Sequence, residues 1–111
     1  MDGKDTNTFF FLYMTAGSKA EAERLARDLV ERRLVACANV LDPIQSFYWW
    51  EGKVADERES VVIAKTQKAC VDAVIARVKE IHSYACPCVV AWPLSQGNPD
   101  FFAWIAHETS P

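Results

Sequence analysis

Residues 44–66, "IQSFYWWEGKVADERESVVIAKT", decide the fold. Two runs rich in aromatic and β-branched residues flank Glu51-Gly52, a pair suited to a tight turn, so the segment reads as a β-hairpin with long arms. In extended chain, side chains alternate, which puts Phe47 and Trp49 on one face and Tyr48 and Trp50 on the other. Each ring can bury about 150–250 Å². Two helices can cover one face of a small sheet, not both faces of a hairpin projecting beyond them. Rings left wet would form a patch larger than soluble monomers usually carry. One reading makes these rings core. The preferred reading packs the hairpin against another copy of the chain, in closed cyclic symmetry. In the returning arm, Asp56, Arg58 and Ser60 share one face and Glu57 and Glu59 the other. Such a run is usually a solvated edge, but one carboxylate can also face a subunit cleft.

Working towards the N-terminus, "LVACANVL" (34–41) is apolar on both faces and suits a central strand. Asp42-Pro43 interrupts it, and because proline lacks a ladder donor a bulge or bend is expected there. Ser18 and Glu21 have capping-box spacing. Behind them Ala22, Leu25, Ala26, Leu29 and Val30 recur at helical spacing, predicting a helix that ends near Arg32. Residues 7–14 read as a buried strand, and the polar residues 1–6 are expected to fray.

Working towards the C-terminus, Thr66 is a candidate N-cap. Val71, Val74, Ile75, Val78 and Ile81 give a second apolar helical stripe. "CVVAWPL" (88–94) reads as a strand, and Gln96-Gly97 breaks it. Asn98-Pro99 opens a short helix running to about Glu108. The order β-α-β-β-α-β plus a helix defines one α+β domain over residues 1–111. It is a ferredoxin-like sandwich with a long central hairpin and an extra C-terminal helix.

The 111 residues are half apolar with a formal net charge of -3. An acidic balance gives no general attraction to phosphate backbones, which argues against nucleic acid as a partner. The apolar run at 9–14 is far short of the roughly 20 residues of a spanning helix, and it lacks the pattern of a signal peptide. The expectation is a cytoplasmic protein with reduced thiols and no membrane partner. No phosphate loop, dinucleotide fingerprint or H-E-x-x-H is present.

The cysteines are Cys37, Cys70, Cys86 and Cys88. Cys37 and Cys70 read as small buried hydrophobes, and His107 as a surface group at a helix C-terminus. In "IHSYACPCVV" (81–90), an extended backbone would put Cys86 and Cys88 on one side with Cα atoms about 6.5–7 Å apart, at or beyond disulfide reach. With His82 they could share a soft metal ion. Pro87 sets the entry into a strand. A reactive thiol at Cys86 or Cys88, activated by His82, stays open as an enzymatic alternative.

Four segments, "ERRLVACANV", "SFYWWEGKV", "VVIAKT" and "IHSYACPCVV", with a terminal "GNPDFFAWI", resemble the CutA (divalent cation tolerance) family in order and spacing. The resemblance runs from about Phe9 to Ile105. It implies a homotrimer similar to the PII signalling trimers, with long hairpins reaching into neighbouring subunits and Phe47, Tyr48, Trp49 and Trp50 at the interface. It implies a cytoplasmic, non-enzymatic protein of metal response that binds copper or another divalent cation at subunit clefts and has no organic cofactor. The implied metal ligands are His82, Glu59 and Met14, with Cys88 as a further sulfur. Tyr84, Pro87 and Lys65 belong to the family signature of the cleft. The chain departs from the family's H-P-Y-x-x-P-E pattern twice: Ser83 stands for the first proline, and Cys88 for the glutamate after Pro87. The alternative function is a PII-like signalling or interaction trimer that takes a small anion or a partner segment.

Overall fold

The structure, a computed structural model, describes residues 8–110. The polar segment 1–6 expected to fray, and Asn7 at the start of the first predicted strand, lie outside the described residues. The elements are β1 (Phe9–Ala16), α1 (Lys19–Glu31), β2 (Cys37–Trp50), β3 (Lys53–Gln67), α2 (Lys68–Ile81), β4 (Val89–Pro93) and α3 (Pro99–Glu108). The strands form one antiparallel sheet in the order β2-β3-β1-β4. This is the predicted α+β arrangement.

Local chemistry explains most of the boundaries. Ser18 Oγ accepts the Glu21 N–H at 3.1 Å and caps α1; Asn98 caps α3 by accepting the Asp100 N–H. The hairpin turns through Glu51 (φ 51) and Gly52 (φ 80), both in the left-handed region that matches strand twist. At Asp42-Pro43, a cis peptide, the β2–β3 register shifts between Leu41 and Ile44, as proline's missing donor requires. The Ser60 hydroxyl donates to the Asp42 carboxylate there.

Thr66 does not cap α2. Strand β3 runs on to Gln67, which is the N-cap residue without a side-chain cap bond. Thr66 is buried on the helix side, and its hydroxyl donates to the Leu34 carbonyl at 2.7 Å. A buried hydroxyl next to an unpaired carbonyl gains more from that bond than from an exposed helix end. Cys37 is half-buried rather than enclosed, because it stands opposite Lys65 on the face that the helices leave open.

The core lies between the sheet and the α1–α2 layer: Leu12, Met14, Ala16, Ala22, Leu25, Leu29, Val35, Val62, Ala64, Val74 and Val78. Arg77 locks the two helices together, donating from Nε and Nη2 to the Asp28 carboxylate at 2.9 and 2.8 Å. Register assigns the faces. Leu12↔Ala64, Met14↔Val62 and Ala16↔Ser60 point to the helices. Phe11↔Lys65, Tyr13↔Ile63 and Thr15↔Val61 point the other way, joined by Val90 and Trp92 of β4 and Leu41 of β2. The extended hairpin gives the chain extents of 49 × 27 × 22 Å.

Candidate ligand cleft around Glu59 and Tyr84

The segment 82–88 leaves the end of α2, folds over the end of β1 and enters β4. Helix α2 stops because His82 turns extended (φ -76, ψ 146). The His82 side chain is fully buried. Its Nε2 lies 2.7 Å from the Thr15 carbonyl, and its Nδ1 accepts the Tyr84 N–H at 3.0 Å. A carbonyl can only accept and an amide N–H can only donate, so the ring carries its proton on Nε2.

Tyr84 then crosses to the open face, where its hydroxyl donates to Glu59 Oε2 at 2.8 Å. Burial, followed by the Glu59 hydrogen bond, raises the phenol's pKa well above its usual value. Glycine at position 17 leaves room for this approach. A Cβ there would stand 3.2 Å from the Tyr84 hydroxyl oxygen and 3.3 Å from a ring carbon. Gly17→Val should therefore push Tyr84 off Glu59 and lower stability by about 1–3 kcal/mol, the usual cost of overpacking. Urea unfolding measures the loss, and tyrosine ring signals in NMR spectra report the displacement.

Cys88 lies near Thr15 and Glu59. Local burial raises its thiol pKa, the Glu59 carboxylate acts in the same direction, and hydrogen bonding to Thr15 opposes both. A thiol held in its protonated form is a poor nucleophile at neutral pH. That weighs against the reactive-cysteine reading for Cys88. Tyr48 is also raised, by partial burial and then by Glu57 and Glu59. Apart from Tyr48, which acts on Tyr84, the charged groups acting on Tyr48, Tyr84 and Cys88 are carboxylates: Glu21, Glu57 and Glu59. The cleft is acidic.

The residues put forward as ligands do not converge within the chain. Met14 is fully buried in the core on the helix face. Glu59 shares the opposite face with Val61, the partner of Thr15. His82 spends both ring nitrogens on backbone groups. Among the described residues, no three His, Cys, Asp or Glu side chains come close enough to hold a metal ion. Glu59 and Cys88 do share a neighbourhood. Lys65 lies on the open face with its Nζ 5.8 Å from the Phe11 ring centroid. Six residues of strand separate it from Glu59, about 20 Å, so it lines a different part of the sheet.

Sequence reading missed Glu21, taking it only as a helix cap. Its carboxylate is buried and accepts the N–H groups of Gly17 (3.3 Å) and Ser83 (2.8 Å) and the Ser83 hydroxyl (2.9 Å). Those bonds lower its pKa against the opposing effect of burial, which is the largest single influence. A glutamate at helix position N3 normally faces its own cap, so nothing local in the sequence marks a partner 62 residues away.

Fold and site together define a small α+β sheet protein with acidic side chains gathered where a helix end crosses onto an open sheet face. The chain belongs to the CutA1 divalent ion tolerance protein family, whose model matches residues 10–108. It is 45% identical over 95 residues to the divalent-cation tolerance protein CutA of Archaeoglobus fulgidus, covering 86% of this chain and 92% of that one. It is 38% identical over 98 residues to the chloroplastic protein CutA 1 of Oryza sativa, covering 88% of this chain but only 55% of the rice protein. The solved structure of the periplasmic divalent cation tolerance protein CutA from Archaeoglobus fulgidus superposes with a TM-score of 0.89 at 42% identity, covering 92% of this chain and 99% of that one. The family is one of divalent-cation tolerance, not a known enzyme family.

Proposed function

We propose that this chain acts in the response to metal ions as a homotrimer, taking a copper-type cation at an acidic cleft between subunits. The carboxylate character of the cleft carries this reading. A small anion, the alternative considered from sequence, would meet Glu59, Glu57 and Glu21 unpaid by any cation acting on those tyrosines and that thiol. A cation gains from the same groups. Within one subunit the ligands would be Glu59 and Cys88, a carboxylate and a soft sulfur. The other positions would be filled by water or by a neighbouring copy. Thiol ligation favours Cu(I) over hard cations. Binding by His82 would require it to give up a backbone bond, and Met14 is sealed in the core. In this reading His82 therefore shapes the cleft from behind.

The trimer rests on the open sheet face. Leu41, Val90, Trp92 and Trp50 are each about half exposed there, and Phe47 and Trp49, on the other face of the hairpin, more so. A cytoplasmic setting belongs to the same reading, because four free thiols suit a reducing compartment.

Titrating the apo-protein with Cu(I) and Cu(II) tests the cleft. Glu59→Gln should weaken binding by at least the roughly 10–100-fold that loss of a group merely supporting the ligands costs. Equal affinity in wild type and variant would remove Glu59 from the site.

A further inference from the structure

We infer that Glu21 is a positioning residue: it holds the 82–84 backbone so that His82 keeps one tautomer and Tyr84 reaches Glu59. The inference builds on the cleft proposed above, but its geometry belongs to the apo-protein. Ser83 sits between the two residues that shape the cleft. Glu21 takes the Ser83 N–H on Oε2 and its hydroxyl on Oε1, while Oε1 also accepts the Gly17 N–H. One carboxylate thus ties the start of α1 to the crossing after α2. With Ser83 held, the Tyr84 N–H falls on His82 Nδ1, which leaves Nε2–H for the Thr15 carbonyl. The same grip sets the start of Tyr84's path past Gly17 to Glu59.

Glu21 Oε2 also stands 3.5 Å from His82 Nδ1. If the Tyr84 amide leaves Nδ1, that nitrogen faces a carboxylate with no donor between them. Without that amide nothing fixes which ring nitrogen carries the proton, and the Nε2–H bond to the Thr15 carbonyl is no longer obligatory. Serine itself cannot hold this backbone, because its φ is free. The clamp supplies what a fixed φ would supply. His82 already has the extended backbone (φ -76, ψ 146) that a following proline demands. Proline at 83 should therefore replace the clamp with covalent rigidity.

The test uses the ¹⁵N-labelled full-length apo-protein. Long-range ¹H–¹⁵N spectra read the tautomer of each ring. The chain has two histidines, and His107, 84% exposed, is an internal reference. The wild type should show one histidine locked with its proton on Nε2. Glu21→Ala should give mixed tautomers at His82 and exchange the Tyr84 amide about tenfold faster or more, as expected for local opening. Asn98→Ala removes the cap of α3 and touches neither Glu21 nor Ser83, so it should lower stability without moving the His82 signals. Ser83→Pro combined with Glu21→Ala should restore the locked tautomer.

If Glu21→Ala does not fold, Glu21→Gln takes its place. It keeps one carbonyl acceptor but turns an amide against the Gly17 N–H, and an intermediate loss is expected. Wild-type spectra in the folded Glu21 variant would overturn the inference, as would an equal tautomer change in Asn98→Ala or failure of the proline to rescue. Copper titration of the same variants separates the two claims. A wild type that takes up no copper sinks the cation reading, while the tautomer still decides the role of Glu21.

Discussion

Trp50→Asp should dissociate the proposed trimer into folded monomers. Trp50 is 52% exposed in the isolated subunit, so the subunit core does not depend on it. Register places it opposite Lys53 on the face that carries Tyr48, opposite Ala55, and Glu59, opposite Ile44. That face continues into Leu41, Val90 and Trp92, all about half exposed. Large apolar side chains left exposed on one face of the sheet mark an interface. Buried tryptophans commonly contribute about 2 kcal/mol or more at such sites. An aspartate adds the cost of desolvating a charge. A closed cyclic trimer repeats the loss at three identical contacts, which moves the equilibrium by several powers of ten. Light scattering after size-exclusion chromatography should report one third of the wild-type mass, with an unchanged far-ultraviolet spectrum. A monomeric wild type at micromolar concentration would end the trimer proposal.

His82→Ala should destabilise the subunit by about 3–5 kcal/mol. The imidazole is fully buried and pairs two backbone groups, the Thr15 carbonyl and the Tyr84 N–H. Each buried group left unpaired costs about 1–3 kcal/mol, and the vacated ring volume adds a cavity term. The loss should appear in urea unfolding of the apo-protein, with no metal present. This changes how the variant can be used. Lost copper binding in His82→Ala would not identify a ligand, because the cleft's backing would have gone as well. Glu59→Gln is the cleaner probe: the amide oxygen can still accept from Tyr84 while the charge is removed. An apo His82→Ala protein as stable as wild type would show that the imidazole is held less tightly than these bonds imply.

Most of the fold was legible because its signals are local. Ser18, Asn98 and Pro99 mark helix starts by satisfying or lacking backbone donors within three residues. Glu51-Gly52 marks the hairpin by its backbone freedom, and Asp42-Pro43 marks the bulge by a missing donor. Thr66 misled because a hydroxyl has two uses, and only the position of the Leu34 carbonyl chooses between them. The cleft was legible in part. Tyr84 and Glu59 were singled out, and their hydroxyl and carboxylate meet at 2.8 Å. Glu21 was hidden behind its own helix cap.

The sequence by itself determined the elements, their order, the long hairpin and its surplus of aromatic rings. Those follow from periodicity and turn chemistry, each acting over a few residues. Tertiary structure alone decided which side of the sheet each candidate ligand occupies. Met14 and Glu59 are 45 residues apart, and no local rule relates their parities. Pairing of β1 with β3, set by packing of the helices on one face, sends Met14 into the core and Glu59 to the open side. It also decided what His82 can do. A histidine's chemistry depends on what its two nitrogens touch, and here both partners are backbone atoms brought in by the fold.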